Sequence, residues 1–202
     1  RERHQVNSCL HCREKQQTVI IRLMRWIVLV LFSVATWLTG CSPALNWREA
    51  RIDGAPLLAF MPCKPDRATR KLELAGEAVE LGMTGCDAAG ATFAVSQVRL
   101  APGASVATAM GQWRTAMLAN MRATNVREQP FQPVGSLSLP QSVRLSALGQ
   151  RADGSVVQSQ AVWFARAAQD GLWLFHAVIY AQAIRPEAAD AFFDGLKLEG
   201  RP

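Results

Sequence analysis

The sequence predicts an α+β domain over residues 47–198, built on an antiparallel sheet of about six strands flanked by helices. Three observations predict it. Strand-like runs separated by turn residues recur from residue 68 onward. One apolar stripe at helical spacing lies among them, and a proline-led segment closes the chain. The resulting order is hairpin, strand, helix, proline-rich loop, three-strand meander and helix.

Upstream of that domain the chain reads as an export signal. Met24 and Arg25 precede the apolar run Trp26 to Trp37, followed by Leu38-Thr39-Gly40-Cys41. A positive start, a 12-residue apolar stretch and small residues before a cleavage point are the parts of a secretory signal. The run is too short for a ~20-residue membrane span. Leu-Thr-Gly-Cys resembles the lipobox of bacterial lipoproteins. The resemblance implies cleavage before Cys41 and acylation of its thiol, and Ser42 after it implies sorting to the outer membrane, facing the periplasm. Two or three acyl chains make a stable anchor where one does not. The expected divisions are a surplus upstream segment (1–23) from a start placed too early, a signal peptide (24–40), a lipidated tether (41–46) and the domain. Cys9 and Cys12 form a C-x-x-C in the surplus segment, with no second pair at zinc-ligand spacing.

Within the domain, Ala68–Ala75 and Glu77–Gly85 flank Gly76 as a hairpin, and Thr92–Leu100 alternates as a third strand. Ser105 caps a helix over Val106–Ala123, in which Val106, Met110, Trp113, Met117 and Met121 share one face. A stripe of this kind more often faces a core than a ligand. Pro130, Pro133 and Pro140 mark Gln129–Pro140 as a loop. Val143–Gln150, Val156–Ala165 and Leu172–Gln182 follow as strands, with Asp153-Gly154 and Asp170-Gly171 as turns. The last strand is apolar on both faces, which predicts a central position in a sheet covered on both sides. Pro186 and Glu187 open a helix running to Leu196.

Charge and cysteines narrow the function. Of the +6 net charge, residues 1–40 hold six Lys/Arg against two Asp/Glu, so the domain itself is near neutral and no nucleic-acid partner is expected. With Cys9 and Cys12 in the surplus segment and Cys41 committed to lipid, Cys63 and Cys86 remain as a pair, expected to form a disulfide in an oxidising compartment. The run from Phe60 to Pro65, the Phe93-Ala94-Val95-Ser96 strand and the terminal Phe192 to Leu198 resemble the PsbP-like proteins, which share an α-β-α sandwich with the Ran-binding protein Mog. The resemblance covers about residues 47–198 and implies an accessory role rather than an enzyme. It carries over no metal site.

No G-x-S-x-G, phosphate-binding loop or dinucleotide fingerprint occurs, so no cofactor, metal or catalytic residue is expected. His176 is the single histidine after Cys41. The expectation is a lipid-anchored, non-catalytic envelope module binding a protein partner through an exposed apolar patch, with Trp163 and Trp173 as candidates. The alternative is a small-molecule or lipid carrier using the space between sheet and helix near Trp113 and Tyr180. A hydrolase using His176 is the third reading.

Overall fold

A computed structural model describes residues 44–200, apart from 152 and 170. Cys41, the apolar run before it and the Cys9/Cys12 pair lie outside the described residues, as does Asp170.

The chain enters through β1 (Arg48–Arg51) and β2 (Leu57–Met61), an antiparallel pair. β3 (Asp66–Leu74), β4 (Glu77–Ala88) and β5 (Ala91–Leu100) form a meander whose turns lie at Ala75-Gly76 and Ala89-Gly90. All four turn residues have positive φ, between 51° and 80°. That is the mirror-image turn whose twist suits a two-residue hairpin, and glycine holds its second position at no steric cost. Helix α1 (Val106–Asn120) follows, capped by the Ser105 hydroxyl accepting from the Thr108 amide at 3.3 Å. β6 (Thr124–Pro130), β7 (Val143–Gln150), β8 (Val156–Ala168) and β9 (Gly171–Ala181) complete the strands before α2 (Pro186–Asp194). A short β10 (Lys197–Leu198) returns to pair with β2.

These strands make two antiparallel sheets. Seven run in the order β3-β4-β5-β9-β8-β7-β6, and three in the order β1-β2-β10. β9 therefore occupies the middle of the larger sheet, with three strands on either side, the position that its two apolar faces predict. Along it Leu174, His176 and Val178 point to one face and Phe175, Ala177 and Ile179 to the other. The first face packs against α1, with Met110 and Met117 buried. The second packs against Leu57, Ala59 and Met61 of β2 and against Phe192 and Phe193 of α2.

This arrangement corrects the predicted class. Ten strands against two short helices make the described residues predominantly β, a sandwich of a seven-stranded and a three-stranded sheet rather than a six-stranded α+β sheet flanked by helices. The α-β-α layering implied by the PsbP-like resemblance is replaced with it, because a second sheet takes much of the place that helices would fill. Four strands account for the difference. β1, β2 and β10 are at most five residues long, too short for period-two alternation to register. β6, Thr-Asn-Val-Arg-Glu-Gln-Pro, is exposed at every residue, so it carries no apolar signal. Its terminal Pro130 is tolerated because β6 is an edge strand.

The two sheets are joined covalently. Cys63, just after β2, is bonded to Cys86 in β4, with a Cα separation of 6.1 Å. The ion pair of Arg144 with Asp190, 2.9 Å, and the Arg144 guanidinium 4.8 Å over the Phe193 ring fasten α2 to β7.

Candidate functional site

Strand register sets the floor of the site. On the face under α1, three rows cross β5, β9 and β8 in turn. Ser96, His176 and Trp163 form one row, Ala94, Val178 and Ala161 the next, and Thr92, Tyr180 and Ser159 the third. The outer rows carry bulky or hydrogen-bonding side chains. The middle row is flanked by alanines, which leave unfilled space above the sheet. His176 and Tyr180 are four residues apart, so they stand roughly 13 Å from each other along the strand.

Helix α1 roofs this floor without closing onto it. Its end is held by the Gln150 amide donating to the Met121 carbonyl at 2.8 Å, and its middle by the Ala75 amide donating to Gln112 Oε1 at 2.7 Å. The space between them is an open-sided cavity of about 800 Å³. That lies within the range of small-molecule sites, ~300–1,000 Å³. Trp113, Met117 and Met121 form its roof, and Met83, Ala94 and Val178 contribute to its floor. The Met/Trp stripe thus does both things that the sequence left open: Met110 is core, and the residues after it line the cavity. Among the described residues the charged ones lining it are Arg70, Glu73 and Arg151, all exposed.

His176 is in the cavity wall, 5% exposed, stacked on Trp163 at 4.6 Å and tilted against Trp113 at 5.3 Å. Burial alone pushes its pKa down to about 3, so the ring is neutral at physiological pH. Its Nε2 has no hydrogen-bond partner among the described residues. Burial also raises the Tyr180 phenol, which stays protonated and able to donate.

Trp113 and Tyr180, the two residues named for the carrier alternative, line one cavity, and His176 lines it with them. Trp163 and Trp173 do not form the surface patch expected of a partner-binding face. Trp163 is fully buried beside His176, and Trp173 lies in the core on the opposite side of the sheet. The reason is β9 and β8 being central strands, which bury large side chains on both faces. Among the described residues the exposed large hydrophobics are Val126, Val134 and Val156, one each from β6, the following loop and the start of β8. Sequence reasoning missed Met83, Ala94, Ser96 and Arg70, since only the pairing of β3, β4 and β5 with β9 brings them to the cavity.

No group of three His, Cys, Asp or Glu among the described residues could hold a metal ion. No helix among them is long and apolar enough to cross a membrane. No family model matches the chain, and no curated protein matches it.

Proposed function

We propose that this chain is a lipid-anchored envelope protein whose domain is a non-catalytic binding module, taking an apolar small molecule in the cavity between α1 and the seven-stranded sheet. The observation that carries the reading is the cavity itself: about 800 Å³, lined mainly by apolar side chains, with Trp113, His176 and Tyr180 in its wall. A concave, mainly apolar space of this size with a few polar groups in its wall is the kind of site that takes a small molecule.

A protein partner has less to recognise. The buried tryptophans leave three scattered valines as the large exposed hydrophobics of the described surface, well short of a contiguous patch. The hydrolase reading has less support, because His176 is 5% exposed and its ring is neutral at physiological pH. The membrane address rests on the signal-like residues 24–41 and on Cys41.

Two experiments test the two halves. Ala94→Leu projects a larger side chain into the cavity; it should abolish binding of an apolar fluorescent probe by the full-length protein while the fold is kept. Unchanged probe binding would sink the carrier reading. Cys41→Ser should abolish acyl labelling and release the protein from the membrane fraction, and unchanged fractionation would sink the lipoprotein reading.

A further inference from the structure

Helix α1 gives the cavity an elongated wall. Gln112, Trp113, Ala116, Met117, Asn120 and Met121 line it, so the wall follows the helix axis for roughly 14 Å. Facing it from the sheet are apolar side chains, among them Leu72, Met83 and Val178. A space of this form suits an extended apolar chain.

Charge is confined to exposed residues at its margin. Arg70 and Glu73 come from β3, an edge strand of the seven-stranded sheet, and Arg151 follows β7. Successive side chains along a strand point to opposite faces. Arg70 therefore shares the face of Leu72 and Leu74, which pack into the core on the α1 side, whereas Glu73 alternates to the other face. The cation is thus the β3 charge on the cavity's side of the sheet. It forms no ion pair among the described residues, unlike Arg67 of the same strand, which pairs with Asp53 at 2.8 Å. Arg151 already has an acid nearby: the Ser155 hydroxyl and amide, with a smaller contribution from Arg151, hold the Asp153 carboxyl below its ordinary range.

We infer that the cavity takes an extended apolar chain ending in a carboxylate, the chain laid along α1 and the acid group at the exposed margin with Arg70. This rests on the cavity being a ligand site and adds the chemical class of the ligand. The acid stays at the margin because an ionised group among Met83, Met117 and Val178 would lose its hydration without compensation. A carboxylate fits because a guanidinium offers it two parallel donors, and one charge balances one.

The test is displacement of a neutral fluorescent probe from the full-length protein by dodecanoate, dodecanol and dodecylammonium, each kept below its aggregation threshold. Dodecanoate should bind about two- to fivefold more tightly than dodecanol, the gain of an exposed ion pair, and dodecylammonium more weakly than either. Added salt should shrink that gain. Arg70→Gln should bring the ratio of dodecanoate to dodecanol affinity to about one, whereas Arg151→Gln should leave it as in the wild-type protein. Equal affinities in the wild-type protein, or a ratio that survives Arg70→Gln, would overturn the inference and leave the apolar site standing. A ratio lost in Arg151→Gln instead would place the acid at the other end and overturn it too. Failure of all three compounds to displace the probe would remove the ligand site together with the inference.

Discussion

His176 is the residue on which pH should act. Its pKa falls from an ordinary 6.5 in the unfolded chain to about 3 in the folded domain, through burial. The unfolded state therefore binds the proton more readily, and stability is full above pH 6.5 and lost as pH falls toward 3. The expected slope from this one residue is at most about 1.4 kcal/mol per pH unit within that window. Denaturant titrations at pH 7, 5.5 and 4.5 should show the loss. His176→Phe, which keeps an aromatic ring and removes the titration, should flatten it, and an equally steep decline in that variant would refute the assignment. The burial of this histidine was legible from its place mid-strand among apolar residues. Its unsatisfied nitrogen was not, because that depends on what β5, β8 and α1 bring against the ring.

At the scale of elements, the cavity depends on how α1 is held above the sheet. Gly149 in β7 admits the helix end: a Cβ there would stand 2.6 Å from the Met121 carbonyl oxygen and 2.5 Å from its methyl. The methyl can rotate away, but the backbone oxygen cannot. Gly149→Ala is expected to cost about 1–3 kcal/mol in unfolding free energy and to weaken probe binding, by pushing the helix end off β7. Ser105→Ala, at the other end of the helix, should cost ~1 kcal/mol through the lost cap, measured by thermal or urea unfolding. Such long or strongly patterned elements were the readable ones. The Ser105 cap, the hairpin of β3 and β4, and the central position of β9 all follow from local residue order. β1, β2 and β10 hold too few residues to show a period, and β6 is a strand only because β7 offers it hydrogen bonds.

At the scale of the molecule, the class was misread because covering the sheet was taken to be a task for helices. β9 showed that both faces were buried, yet nothing in its own residues says whether a helix or another sheet does the burying. The Cys63–Cys86 bond, by contrast, was expected once Cys9, Cys12 and Cys41 were set aside, and in the fold it proves to be the covalent link between the two sheets. Removing it with Cys63→Ser/Cys86→Ser should lower stability by on the order of 3 kcal/mol, seen as a shift in the urea midpoint that reductant reproduces in the wild-type protein. An unshifted midpoint would mean that the apolar interface alone joins the sheets.

That bond has a mechanical consequence. Residues 44–47 lead into the three-stranded sheet, and Trp47 stacks on Phe60 at a ring separation of 5.1 Å. α1 lies on the far side of the seven-stranded sheet. Tension applied along the chain ahead of residue 44 would thus load β1 and β2 first. From there it would pass through a covalent rivet into the stiff middle layer. The roof over the binding space stays off that load path, whereas β4, which carries Met83 of the floor, lies on it.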